Sequence, residues 1–321
     1  MNVGLKVLFT AAAVASSVLL ASAAGANAQD AKYRVAYIAR AQGDSFAAWL
    51  ANAVLEEGKK YPDMSITVFD GQSRNELIQA HIENAVQNKF DLTIIQPFDP
   101  AIQIDPVKQA MAQGMKFVAT NPRFADDSIP SVDANPYQQG AENAKLALNQ
   151  VPKDAKVVIL DGPAGNPHSM GRRDAWQKEF FDKRPDVKIL DEQIANWNKD
   201  EGMRLMEDWI QAHGQIDAVI SMNDNMAAGA LEAVKGSGAA KLPLIYGVDG
   251  TAEACLLIKD GKMTSTTLQS ANALAEKSVK LAHDILTGTK ANMTQQIQAE
   301  LITKDNVDKY IELHKKLGNI Q

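Results

Sequence analysis

The sequence has few of the features on which several classes of function depend. Cys255 is the only cysteine, so no disulfide bond can form within the chain, and the five histidines show no metal-ligand spacing. Acidic residues outnumber basic ones, and the formal net charge of -6 argues against nonspecific binding of nucleic acid. After residue 30, no segment has the roughly 18 consecutive apolar residues of a membrane-spanning helix. Metal binding, nucleic-acid binding and later membrane spans are therefore not predicted.

Motifs of common enzyme classes are missing as well. Residues 162–165 are glycine-rich and follow a predicted strand, but they have neither G-x-G-x-x-G spacing nor a following G-K-[ST]. No G-x-S-x-G nucleophile elbow occurs. Asp44 and Asp249 could form an acid–base pair, although a role as hydrogen-bond acceptors for a ligand is favoured. The sequence therefore predicts no cofactor and no catalysis, and a hydrolase is only the third hypothesis.

The N-terminus has the pattern of a secretory signal peptide. Lys6 is followed by an apolar, alanine-rich run over residues 7–24 and by Ala-Asn-Ala at residues 26–28. Small residues at these positions are typical of a cleavage site, here after Ala28. An N-terminal membrane anchor is the alternative, but the strongly apolar part is short for a spanning helix. We therefore expect residues 1–28 to be removed and the mature chain to be a soluble periplasmic protein.

From residue 32 onward, short apolar runs alternate with longer amphipathic stretches. This alternation predicts parallel sheets that are covered by helices on both faces. The runs at 92–95 and 157–160 are apolar throughout, as strands buried on both faces should be. About ten strands are better placed in two sheets than in one, because a single core rarely grows so large. The pattern also predicts a helix at 106–113 and one strand at 296–302, with a direct crossover between the two halves near 132–135.

Polar side chains follow most of the predicted strands. Ligands bind beyond the carboxyl ends of the strands in open parallel sheets, so these positions are candidates for a binding site. Asn, Asp, Gln and Arg there offer paired donors and acceptors that match neighbouring sugar hydroxyls, and aromatic rings can cover the C–H faces of a sugar ring. The alternative is that Asn and Asp at these positions only cap helices or form turns.

Four motifs give the chain a family resemblance. They are Asp-Ser-Phe at 44–46, Asp-Gly-Gln at 70–72, residues 223–231 (NDNMAAGAL) and residues 247–251 (GVDGT). Residues 32–302 resemble periplasmic sugar-binding proteins of the ribose-binding type, which serve ABC transporters. The resemblance implies an α/β fold of two similar doubly wound parallel-sheet lobes, joined by three crossover strands near residues 134, 270 and 297, with the ligand in the cleft. The N-terminal lobe would comprise 29–134 plus 270–297, and the C-terminal lobe 135–269 plus 298–321.

The resemblance also assigns site residues by matching position. Phe46 and Trp197 look like aromatics that stack on a sugar ring. Asn121 and Arg123 depart from the family pattern because Pro122 separates them, which implies a ligand other than ribose. The remaining predicted ligand contacts are Asp44, Asn166, His168, Arg172, Asn223, Asp249 and Gln269.

The predicted function is that of an exported, monomeric solute-binding receptor. It would capture a monosaccharide, polyol or cyclitol by hinge closure and deliver it to the permease of an ABC transporter. The alternative is a receptor that presents a ligand, for example a furanosyl autoinducer, to a membrane sensor or chemoreceptor. Both share a cleft, so the sequence leaves the choice between them open.

Overall fold

The computed structural model describes residues 31–239 and 241–320. The predicted signal peptide, residues 1–28, therefore lies outside the described residues. The strands are β1 (Tyr33–Ala39), β2 (Met64–Asp70), β3 (Leu92–Ile95), β4 (Lys116–Thr120), β5 (Ser131–Asp133), β6 (Lys156–Asp161), β7 (Lys188–Ile194), β8 (Ala218–Ser221), β9 (Leu244–Asp249), β10 (Ser265–Leu268), β11 (Thr294–Gln296) and β12 (Glu300–Ile302).

The helices alternate with the strands along the chain. They are α1 (Ser45–Gly58), α2 (Asn75–Gln87), α3 (Pro100–Ala112), α4 (Pro136–Gln150), α5 (Pro167–Glu179), α6 (Lys199–His213), α7 (Asp224–Gly236), α8 (Ala252–Lys259), α9 (Ala271–Thr287) and α10 (Val307–Lys316), with a short 3₁₀ helix at Phe181–Lys183. None of the helices in the described ranges is long and apolar enough to cross a membrane.

The strands form two six-stranded sheets, one in each lobe. The sheet of the N-terminal lobe has the order β11-β5-β4-β3-β1-β2, and that of the C-terminal lobe has the order β12-β10-β9-β8-β6-β7. The strands pair in parallel, except that β12 runs antiparallel to β10. The predicted fold of two parallel-sheet α/β lobes is confirmed.

The chain passes between the lobes at three places. It leaves β5 of the N-terminal lobe for α4, it leaves β10 of the C-terminal lobe for α9, and it runs directly from β11 to β12. Helix α9 packs on β3, β4 and β5, so it belongs to the N-terminal lobe although it follows a strand of the other sheet. These short passages position the carboxyl ends of the two sheets opposite one another.

Two local predictions from the sequence were wrong. Residues 296–302 do not form one strand, because the chain changes sheets between β11 and β12 and pairs with different neighbours on each side. The helix expected at 106–113 begins at Pro100, because the Asp99 side chain accepts hydrogen bonds from the backbone N–H groups of Ala101 and Ile102. Pro106 lies inside this helix, in its second turn.

The core of the C-terminal lobe is packed around Trp176 of α5. Its indole is 1% exposed and contacts the rings of Phe180 and Tyr246 edge-on, with centroids 5.5 and 5.4 Å away. The side chain lies between helix α5 and the buried sheet, so its removal would leave a large cavity. Residues of α5 that face the cleft depend on this packing for their position.

We expect Trp176→Ala to lower the free energy of unfolding of the C-terminal lobe by about 3–5 kcal/mol, because large-to-small changes in a core lose burial and leave a cavity. Urea unfolding followed by circular dichroism would measure this. Ile102→Ala on α3 is the control, since Ile102 is 56% exposed and its truncation should change stability by no more than about 0.5 kcal/mol. Equal effects of the two substitutions would contradict the packing described.

Candidate functional site

A small cavity lies where the carboxyl ends of the two sheets face each other. It has about 290 Å³ of space between atoms, part of it open to solvent, and both lobes contribute to its walls. We call it the inner cavity. It is lined by Arg40, Phe46, Asn121, Pro122, Asn166, His168, Arg172, Trp197, Asn223, Asp249 and Gln269.

The two lobes touch each other around this cavity. His168 Nε2 donates to Asp133 Oδ1 at 2.8 Å, and Asn166 Nδ2 donates to the backbone oxygen of Phe98 at 3.1 Å. Both bonds join the start of α5 to the N-terminal lobe. A ligand in the inner cavity would therefore be contacted by both lobes.

Arg172 lies at the centre of a hydrogen-bond network in the C-terminal lobe. Its Nε donates to Gln139 Oε1 at 3.0 Å and its Nη2 donates to Gln269 Oε1 at 3.0 Å. The nearest carboxylate oxygen, Asp249 Oδ1, is 3.8 Å from Nη2 and accepts a hydrogen bond from Gln269 Nε2 at 3.2 Å. Burial lowers the pKa of Arg172 to about 10, and the Asp249 carboxylate opposes this shift. The network holds planar donors and acceptors side by side at one wall of the cavity.

Asp249 occupies an unusual backbone conformation at the end of β9. Its φ is +129°, a region that side-chain-bearing residues rarely adopt, and the loop is held by buried Asp224. Asp224 Oδ2 accepts hydrogen bonds from the Thr251 backbone N–H at 2.8 Å and from the Thr251 hydroxyl at 3.2 Å, while Oδ1 accepts from the Thr266 hydroxyl. Burial raises the pKa of Asp249 well above its usual range and that of Asp224 to about 7. Asp224 therefore positions the loop that carries Asp249.

Arg40 is a polar cavity residue that was not among the predicted ligand contacts. It directly follows β1, is only 6% exposed, and its Nη2 donates to Asp44 Oδ1 at 2.9 Å. Its Nη1 has no hydrogen-bond partner in the protein, nor has Nδ2 of the neighbouring cavity residue Asn121. Buried donors without partners are costly, which makes these two groups candidates for ligand contacts. The clue in the sequence was the position of Arg40 at the carboxyl end of the first strand.

Two predicted site residues, Asp44 and Arg123, do not line the inner cavity. The Asp44 carboxylate pairs with Arg40 and accepts from the Ala47 backbone N–H as the cap of α1. The guanidinium of Arg123 is partly exposed and donates to Asp127 Oδ1 at 2.7 Å. The Asn121–Pro122 peptide bond that precedes it is cis. The arginine of the N-terminal lobe that lines the cavity is thus Arg40 rather than Arg123.

Two other predicted contacts, Asn166 and Asn223, are helix caps. Asn166 Oδ1 accepts from the backbone N–H of His168 at 2.9 Å, and Asn223 Oδ1 accepts from the backbone N–H of Met226 at 2.9 Å. Their amide nitrogens donate to backbone carbonyls of Phe98 and Trp197. The capping alternative thus describes much of what these residues do, although both also border the cavity.

Aromatic rings form the apolar part of the wall. Phe46, in the first turn of α1, and Trp197, in the loop after β7, are 1% and 5% exposed. The Trp197 ring lies 5.5 Å from the guanidinium carbon of Arg172 and 5.9 Å from that of Arg40, so the two lobes meet across it. The arrangement can bind a small molecule that has both apolar faces and a polar edge.

The described residues contain no cluster of three or more His, Cys, Asp or Glu side chains that could hold a metal ion. The carboxylate pair considered for a hydrolase does not face a common space, because Asp44 is engaged by Arg40 outside the inner cavity. The residues that line the inner cavity can instead bind a small molecule from both lobes.

The profile of the family described as "Periplasmic binding protein domain" matches residues 35–290. The chain belongs to this family. Its members are transport receptors rather than enzymes. The resemblance to ribose-type sugar-binding proteins that the four motifs predict is thereby confirmed.

Three known proteins illustrate this kinship. The ribose import binding protein of Bacillus subtilis is 28% identical over 251 residues, which cover 78% of this chain and 81% of that protein. A xylitol-binding protein of Mycolicibacterium smegmatis is 28% identical over 235 residues, 73% of this chain and 67% of that protein. The crystal structure of an ABC transporter solute binding protein from Bacillus halodurans with bound myo-inositol matches at a TM-score of 0.80 and 27% identity, covering 88% of this chain and 99% of that chain.

Proposed function

We propose that this periplasmic binding protein captures one small neutral monosaccharide, polyol or cyclitol in the inner cavity and delivers it to the permease of an ABC transporter. The observation that carries the proposal is the unpartnered Nη1 of Arg40, a residue that lines the inner cavity together with Asp249 and Gln269 of the other lobe. A ligand that bonded to both sides would stabilise the closed arrangement of the lobes. Its relatives named above bind ribose, xylitol and myo-inositol, which share several adjacent hydroxyl groups.

The charges around the cavity favour a neutral ligand. Arg40 pairs with Asp44 at 2.9 Å, and Arg172 lies 3.8 Å from Asp249. Each buried guanidinium therefore has a carboxylate beside it, and neither cation is left to be neutralised by an anionic ligand. Hydroxyl groups can donate to the carboxylate and accept from the guanidinium at once, which carboxylate or ammonium ligands cannot do.

We assign two kinds of role to the site residues. Arg40, His168, Arg172, Asp249, Gln269 and Asn121 would bond to hydroxyl groups, whereas Phe46 and Trp197 would cover the ring. Asp44, Asn166 and Asn223 would position their neighbours through the contacts described above. Arg123 would have no direct contact with the ligand.

Export and assembly complete the proposal. Residues 1–28 would be the signal peptide, cleaved near Ala28, and the mature protein would act in the periplasm as a monomer. Its lobes would comprise 29–134 plus 270–297 and 135–269 plus 298–321, and they would close about the three passages between the sheets. The names of the relatives favour uptake over presentation of the ligand to a membrane sensor.

A thermal-shift screen of pentoses, hexoses, pentitols and inositols should find at least one stabilising compound. A ligand at about 100 times its dissociation constant stabilises the native state by about 2.7 kcal/mol, which appears as a clear rise in melting temperature. Sugar acids and amino sugars of the same size serve as controls and should give smaller shifts. Stabilisation by none of the neutral compounds would contradict the proposal.

Two arginines provide a matched pair of substitutions. Arg40→Ala should weaken binding of the best neutral ligand by at least about tenfold, or about 1.4 kcal/mol, because it removes a buried charged donor and leaves Asp44 unpaired. Arg123→Ala should change the affinity by less than about twofold, because its guanidinium faces Asp127 at the surface. Calorimetric titration would measure both. Equal losses of affinity in the two variants, or a loss in the Arg123 variant alone, would contradict the assignment of the ligand contact to Arg40.

A further inference from the structure

Trp197 separates the inner cavity from a second, larger space in the cleft. We call this space the outer groove. It measures about 1170 Å³, part of it open to solvent, and Trp197 lines both spaces. The outer groove is lined by Ala41, Gly43, Asp44, Asp70, Gln72, Ser73, Phe98, Asn196, Trp197, Asn198, Glu201 and Asn225. The position of one indole therefore decides whether a ligand is confined to the small space or extends into the large one.

The backbone of Trp197 is held tightly. Asn196 and Trp197 have φ values of +50° and +63°, two consecutive left-handed residues, neither of them glycine. The Trp197 carbonyl accepts a hydrogen bond from Asn225 Nδ2 at 3.0 Å, and Asn198 N–H closes the turn on the Ala195 carbonyl at 2.7 Å. Such strain persists only where the surroundings fix it, and it often marks a functional position.

The far end of the indole lies against Gly162, the first residue after β6. A Cβ atom on Gly162 would stand 2.3 Å from both Cη2 and Cζ2 of Trp197, well inside contact distance. The Gly162 backbone is fixed by a bond from its N–H to Ser169 Oγ at 2.9 Å, and its φ lies outside the left-handed region. The φ angle of Gly162 is thus compatible with alanine, but the indole of Trp197 leaves no space for the Cβ atom.

We propose that Gly162 is a specificity-determining residue: it forms the recess that seats Trp197 as the partition between the inner cavity and the outer groove, and so limits the ligand to a single small ring or short polyol. The inference rests on the proposed function and adds a size limit to it. Arg40 and Arg172, on opposite lobes, lie over the same ring and keep it in this position when the lobes meet. A side chain at 162 would push the indole out of its recess and toward the ligand.

The test is a double-mutant cycle between positions 162 and 197. The probes are D-ribose, D-allose, xylitol and myo-inositol, with the disaccharide trehalose as the large probe, and the dissociation constant is measured by calorimetry for the best small probe. Gly162→Ala should weaken binding by about tenfold or more, because displacing a packed ring is costly. In a Trp197→Phe background the same change should alter affinity by less than about twofold, because Phe lacks the outer ring atoms that meet the new Cβ. Gly236→Ala is the control, since nothing lies within 4 Å of a Cβ there.

The possible outcomes separate the seating role of Gly162 from the proposed function. Equal losses from Gly162→Ala in both backgrounds would overturn the seating role, as would tighter binding of trehalose than of every small probe by the native protein. If the Gly162→Ala variant does not fold, the affinity of the double variant is compared with that of Trp197→Phe. A loss of affinity beyond about tenfold in that comparison would also overturn the seating role of Gly162. A native protein that binds no neutral compound of the thermal-shift screen would refute the proposed function, and this inference would fall with it.

Discussion

Two buried guanidiniums at the junction of the lobes are the constraint on which the site depends. A charge withdrawn from water is tolerated only when partners replace its hydration, and Arg40 and Arg172 obtain theirs from different lobes. Arg172 bonds to Gln139 and Gln269 beside Asp249, whereas Arg40 bonds to Asp44 and its buried Nη1 has no protein partner. The Arg172 guanidinium of the C-terminal lobe therefore has most of its hydrogen-bond partners within the protein, whereas Arg40 of the N-terminal lobe has a donor available for a ligand.

The rest of the architecture places these groups. Parallel strands bring the residues that follow them to one edge of each sheet, and the passages between the lobes turn those two edges toward each other. Asp224 fixes the strained loop of Asp249, and the contact of His168 with Asp133 joins the lobes at the cavity margin. Trp197, whose ring lies against Gly162, lines both the inner cavity and the outer groove. Under the proposed function, affinity, closure and the size limit would reside in different residues of one site.

The fold could be predicted from the sequence because its main signals are local. The apolar runs at 92–95 and 157–160 and the amphipathic stretches between strands fix the element types without tertiary information. The short strands β11 and β12 could not be predicted, since their separation depends on pairing with β5 and β10, far away along the chain.

For the site, the sequence showed which residues follow strands but not where their side chains point. Nine of the predicted contacts border the cavity, yet the Arg123 side chain bonds to Asp127, and Arg40, which was not among the predicted contacts, borders the cavity. The capping roles of Asn166 and Asn223 follow equally well from their positions before helices. Local pattern therefore indicated most of the residues that border the inner cavity, whereas their separation into cavity-lining side chains and helix caps required the packed structure.

A crystal structure of the protein with the neutral compound that it binds most tightly would test the central claim most directly. The account predicts one ligand molecule in the inner cavity, with oxygen atoms about 3 Å from an Arg40 nitrogen on one side and from Asp249 on the other. Its ring or chain should lie against Trp197 without entering the outer groove. A ligand bound to one lobe alone, or located outside the inner cavity, would contradict the account.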